Sequence, residues 1–89
     1  MLRTRQSKQF KQDYERMKKR GKDADKIKNI IQMLANGTPL PQSCRDHALK
    51  GDLSGYRDCH IEPDWVLIYA VKNDELLLYR TGSHADILE

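Results

Sequence analysis

Trp65-Val66-Leu67-Ile68-Tyr69-Ala70-Val71 is nearly all apolar and rich in branched and aromatic side chains. Such residues suit extended, pleated backbone. A strand with one wet face alternates apolar with polar residues, whereas a strand covered on both faces need not. The run therefore reads as the central strand of a sheet. Tyr56 to Ile61 before it and Glu75 to Arg80 after it are strand-like for the same reasons. Glu62-Pro63-Asp64 and Lys72-Asn73-Asp74 join the three at hairpin length, so an antiparallel meander is expected.

Upstream of Pro41 the apolar period changes. Phe10, Tyr14 and Met17 recur at helical spacing between Ser7 and Arg20, with Ser7 placed as an N-cap and Gly21 at the C-terminal end. Asp23 to Asn36 is a second helix with Ile27, Ile30, Ile31 and Leu34 as its stripe, closed by Asn36-Gly37. A short connection makes these two an antiparallel hairpin. Leu2 to Arg5 is a candidate first strand. The fold class is thus α+β, with two N-terminal helices packed on one face of a small antiparallel sheet.

Eighty-nine residues allow one domain, 1–89, and no second core. No apolar run approaches the roughly 20 residues of a membrane span, and the opening residues lack a secretory signal, so a cytoplasmic protein is expected. Charge is segregated: residues 1–28 carry net +7 and residues 29–89 net −4, within a total of +3. A basic front half suits a polyanion, and an acidic back half suits a cationic protein partner. A solvated helix face is the plainer alternative. Cys44 and Cys59 have no metal-ligand spacing and are expected as free thiols.

All 3 histidines lie between residues 47 and 84, each in a run dense in other chemically competent groups. The runs are Asp46-His47-Ala48-Leu49-Lys50-Gly51, His60-Ile61-Glu62-Pro63-Asp64-Trp65 and Arg80-Thr81-Gly82-Ser83-His84-Ala85-Asp86. Imidazole exchanges protons near neutral pH, so histidines beside carboxylates in a cationic chain point to proton transfer on an anionic substrate. Strand alternation puts Tyr56, Asp58 and His60 on one face and Arg57, Cys59 and Ile61 on the other. Cys59 and His60 should therefore not meet as nucleophile and base. The same alternation groups Arg80 with Leu76 and Leu78. Arg80 is also a candidate for a surface ion pair with Asp58 or Asp86.

These runs, taken in order, resemble the YafQ branch of the RelE/ParE toxin superfamily. The resemblance is dense over about half the chain, and the order of helices and strands agrees with a RelE-like fold over the rest. It implies the toxin of a type II toxin–antitoxin system: a ribosome-dependent endoribonuclease that cuts messenger RNA in the A site and is blocked by a cognate antitoxin. The partners implied are mRNA, the ribosome with its rRNA, and that antitoxin, with no cofactor, no metal and no membrane. Carried over residue by residue, it places His47, His60, Asp64 and His84 in the catalytic site, with Trp65 and Arg80 in support. Leu88 stands where relatives often have an aromatic residue, which bears on base orientation and sequence preference.

Metal-free RNA cleavage proceeds by attack of a 2′-hydroxyl on the adjacent phosphorus, and needs a base, an acid and a cation. Histidine suits the first two roles and arginine, with its planar fork, the third. His84 with His47 or His60 is the expected acid–base pair. Asp64 would orient an imidazole or take the proton itself, and Arg80 with Lys50 would hold the scissile phosphate. Lys18 and Lys19, with Lys8, Lys11, Arg16 and Arg20, would grip ribosomal RNA. Two alternatives stand beside this. One is a non-cleaving binding or inhibitory module of the same fold. The other is a zinc site built from the three histidines and Asp64, which lacks any close ligand spacing.

Overall fold

The computed structural model describes residues 1–87. In chain order the elements are β1 (Arg3–Gln6), α1 (Lys8–Lys19), α2 (Ala24–Asn36), β2 (His47–Ala48), β3 (Arg57–Glu62), β4 (Trp65–Lys72), β5 (Glu75–Gly82) and α3 (His84–Ile87). Leu88 lies outside the described residues. Among those residues, no helix is long and apolar enough to cross a membrane.

Local chemistry accounts for the helix ends. Ser7 caps α1 by accepting a bond from the Phe10 amide at 2.9 Å, and its hydroxyl donates to the Tyr79 carbonyl at 2.6 Å. That second bond ties the start of the helix to β5. Asp23 caps α2 through the Asp25 amide. Gly37 closes it in the left-handed region at φ 73°, where a side chain would be strained. The α1–α2 hairpin packs Phe10, Met17 and Ile27 onto Cys59, Trp65, Leu67, Tyr69, Leu76 and Leu78 of the sheet. The apolar β4 run is central, as its composition suggested.

The sheet order is β1-β5-β4-β3-β2. β3, β4 and β5 form the expected antiparallel meander, but β1 runs parallel to β5, so the sheet is mixed rather than antiparallel throughout. The helical hairpin and the long loop after it carry the chain to the far edge, where β2 begins. The meander then returns, and β5 arrives beside β1 in the same direction. The two-residue β2 and the one-turn α3 were too short to show any period in the sequence.

One register shift changes which residues share a face. Ile68 pairs with Arg80 but Tyr69 pairs with Leu78, leaving Tyr79 as an extra residue in β5. The bulge rotates Arg80 away from the side of Leu76 and Leu78. The simple alternation that grouped those three is thereby corrected. Residues paired across a ladder share a face. One rung thus runs His47, Asp58, Ile68, Arg80 across four strands, and the next runs His60, Val66, Gly82. Sequence positions 47, 58 and 80 are brought into a line about three strand spacings long, each about 4.8 Å.

Candidate active site

The two rungs lie on the sheet face turned away from the helices, where Asp58 occupies the middle. The residue is 3 % exposed, Oδ2 sits 3.8 Å from His47 Nε2, and Oδ1 has no hydrogen-bond partner among the described residues. Burial holds the Asp58 carboxyl above the ordinary carboxylate range, while the nearby charges of His47, His60 and His84 pull it back down. His47 thus faces the buried carboxylate directly, while His60 and His84 lie near enough for their charge to act on it. The sequence put Asp58 on the face of His60 and offered it only as an ion-pair partner of Arg80, because the β2 register that brings His47 opposite it could not be read.

His47 and His84 are each oriented by a separate device. His47 Nδ1 lies 2.7 Å from the Arg45 carbonyl oxygen. A carbonyl only accepts, so Nδ1 carries the proton there and Nε2 is left facing Asp58. Arg45 makes this possible by adopting the left-handed region at φ 48°, uncommon for a residue with a side chain. His84 is held twice by Asp64: its backbone amide donates to Oδ1 at 3.1 Å and its Nδ1 lies 2.8 Å from the same oxygen. Those bonds keep the Asp64 carboxyl below its usual value. The rings of His60 and His84 meet edge to face with centroids 5.3 Å apart.

Asp64 can do this because it sits in the tight turn between β3 and β4, facing the chain that leaves β5. That exit is also fixed. Asp86 accepts from the Ser83 amide at 2.9 Å and takes a bidentate ion pair from Arg20 at 2.6 and 3.1 Å. The basic end of α1 is thus fastened two residues beyond His84. A Cβ on Gly82 would sit 3.0 Å from the Asp86 side chain, tighter than an ordinary contact, so the closeness of this turn favours glycine.

Other expected site residues fall differently. Trp65 is 1 % exposed, and its indole donates to Thr81 Oγ1 at 2.9 Å, so it belongs to the core beneath the site rather than to a surface for RNA. Arg80 pairs with Asp13 of α1, not with Asp58 or Asp86. Lys50 is exposed beyond β2, with no hydrogen bond or ion pair among the described residues linking it to the histidines. Lys18 lies 3.7 Å from Glu15 and over the Tyr14 ring, and Lys19 is exposed on the same helix. Cys59 is buried in the core, which pushes its thiol far up and leaves it inert beside His60.

A cleft of about 370 Å³ adjoins His60, walled by Ser43, Cys44, Arg45, Ile61, Glu62 and Pro63. A larger groove of about 690 Å³, floored by Phe10, Tyr14, Ile31 and Leu78, contains none of the histidines. Among the described residues no cluster of three or more His, Cys, Asp or Glu has the geometry of a metal site. The arrangement offers His47 and His84 with oriented rings, a buried carboxylate beside His47, and Arg80 on the same rung with its guanidinium drawn toward Asp13 of α1.

The sequence profile of a family described as "Bacterial toxin of type II toxin-antitoxin system, YafQ" matches residues 2–89. The mRNA interferase toxin YafQ of Escherichia coli K12 is 46 % identical over 78 residues, covering 86 % of this chain and 85 % of that protein. Among solved structures, the E. coli DinJ–YafQ complex contains a chain with TM-score 0.92 and 40 % identity, each chain covered in full. A copper-bound mutant toxin from Helicobacter pylori matches with TM-score 0.94 and 40 % identity, over 98 % of this chain and 99 % of that one.

Proposed function

This chain belongs to the YafQ family of bacterial type II toxin–antitoxin toxins, and from that premise we propose that it is a ribosome-dependent endoribonuclease cutting mRNA in the A site. The observation that carries the reading is the pairing of His47 with buried Asp58 on one rung, with His60 edge-on to His84 beside it and Asp64 orienting His84. That is the equipment for in-line attack of a 2′-hydroxyl on its own phosphate.

In this reading His47 is the base. With Nδ1–H committed to the Arg45 carbonyl, its Nε2 lone pair takes the hydroxyl proton, and Asp58 at 3.8 Å faces the imidazolium so formed. His84 is the acid: Nδ1–H is engaged by Asp64, and Nε2–H is given to the departing 5′-oxygen. Arg80, with His60 beside His84, holds the phosphate as negative charge builds on it. Lys50 has no contact that supports a phosphate role. Trp65 acts only by bracing Thr81 from below. The exposed lysines of α1, Lys18 and Lys19 among them, meet ribosomal RNA, and the cytoplasm is where the ribosome is met. A cognate antitoxin is inferred by likeness to the E. coli complex, which joins a YafQ chain to DinJ.

The test is to map transcript 5′ ends after brief expression of the native chain and of His84→Ala, and then with purified protein on programmed ribosomes. New ends within codons for the native chain, lost in His84→Ala, are expected. They should persist with a transition-metal chelator while magnesium is retained. Translation arrest without new ends would mean that the domain binds and does not cleave.

A further inference from the structure

α1 turns lysines outward and Phe10, Tyr14 and Met17 inward, yet Asp13 lies on the inward side with 0 % exposure. A carboxylate is costly to bury, and an apolar side chain of similar size would serve helix packing at least as well. What Asp13 does in that position is hold the arginine. Its Oδ2 accepts from Arg80 Nε at 2.7 Å and from the Thr81 amide at 3.2 Å. Its Oδ1 accepts from Arg80 Nη2 at 3.3 Å, Arg16 Nη2 at 2.9 Å and Gln9 Nε2 at 3.1 Å.

We infer that Asp13 is a positioning residue of the active site, fixing the Arg80 guanidinium and the start of the Thr81–His84 turn in reactive geometry. The inference rests on the reading that Arg80 holds the scissile phosphate. A fork engaged through Nε and Nη2 has its plane and its direction set. Nη1 is left without a partner among the described residues, on a side chain still 24 % exposed. The same carboxylate pins the Thr81 amide, and Thr81 is locked from its other side by Trp65 and by its own bond to the Val66 carbonyl at 2.8 Å. Arg80 follows the β5 bulge, where β1 no longer flanks the strand, so the ladder alone holds it on one side only. Asp13 supplies the missing restraint from the helix layer. Burial raises the Asp13 carboxyl, but Arg80, Gln9 and the Thr81 amide outweigh it and hold the group below its ordinary value, so it is ionised when the arginine needs it.

The experiment is a double-mutant cycle with Asp13→Asn, Arg80→Ala and the pair, in single-turnover cleavage of mRNA on programmed ribosomes. Asp13→Asn is expected to slow the chemical step about 10–100-fold, as a small misplacement of a reacting group does. The half-saturating ribosome concentration should stay within about twofold, and in the Arg80→Ala background Asp13→Asn should cost far less, only what its hold on the Thr81 amide contributes. Equal loss in both backgrounds, or none in the native one, overturns the positioning role while leaving Arg80's own role standing. Native-rate cleavage by Arg80→Ala overturns both. Because Asp13→Asn is a change in the core, a second measurement needs no substitution at 13. The Nε–Hε proton of Arg80, identified by its loss in Arg80→Lys, should exchange with solvent far more slowly than that of exposed Arg45. Exchange as fast as Arg45 overturns the inference.

Discussion

Asp58 sits where a carboxylate is costly to bury, and the proposed chemistry gives a reason for it to be there. Its carboxylate is buried with one oxygen unpartnered, and burial raises its pKa above the ordinary value. A group whose folded pKa is raised in this direction favours the neutral form in the fold. Its charged form therefore weakens the native state above the folded pKa, and protonation relieves that as pH falls. Asp58→Asn should raise Tm at neutral pH by about 5 °C, the equivalent of roughly 1 kcal/mol in a domain this small. It should also reduce cleavage at least tenfold. Calorimetry beside the cleavage assay checks both, and a lowered Tm would show that the carboxylate is a structural partner. His84→Ala and Asp64→Ala belong to the same scale. Each side chain is substantially exposed, so Tm should change little while cleavage falls about 10²–10⁴-fold, the usual worth of an acid–base group. Near-native cleavage in either variant removes that residue from the mechanism.

Among the elements, α1 does two things with two faces. Inward it delivers Asp13 to Arg80, and outward it presents Lys8, Lys11, Lys18 and Lys19. Its last turn is joined to α3 by the Arg20–Asp86 pair, so the basic face and the His84 turn are one mechanical unit. Lys18→Glu with Lys19→Glu should weaken ribosome association and flatten its salt dependence, without altering the rate once bound. Binding measured across a salt series decides this, and an unchanged slope would take the helix out of the interface. The sequence showed the lysines and the apolar stripe of α1 plainly. It did not show Asp13, because a carboxylate in a lysine-rich helix reads as one more solvated charge. Nor did it show the bulge at Tyr79, since one extra residue in an alternating run leaves composition untouched. The mistaken face for Arg80 follows from that alone.

At the scale of the whole molecule, the meander, the helical hairpin and the four residues His47, His60, Asp64 and His84 were legible because each sits in a run with a period or a recognisable motif. β2, α3 and the parallel pairing of β1 with β5 were not, being fixed by contacts distant in sequence. Several long-range ties are carboxylates. Asp13, Glu62, Asp64 and Asp86 all titrate below their ordinary values, Asp13 through Arg80, Gln9 and the Thr81 amide against burial, Glu62 chiefly through Lys26 and Lys22, Asp64 through His84, and Asp86 through Arg20. Depressed folded values mean that their stabilisation is present above the unfolded carboxylate range and is lost as pH falls through the folded ones. Unfolding followed by circular dichroism should therefore show stability falling below about pH 4. An acid-insensitive Tm would mean that these ties contribute little.

If imidazoles from separate stretches work as one acid–base pair, the pH dependence of single-turnover mRNA cleavage on programmed ribosomes must report both. A base must be unprotonated and an acid protonated, so the native profile should be bell-shaped. His47→Ala should remove the rise on the acidic side, and His84→Ala the fall on the alkaline side. A flat profile for the native protein, or both limbs intact in either variant, would contradict the account.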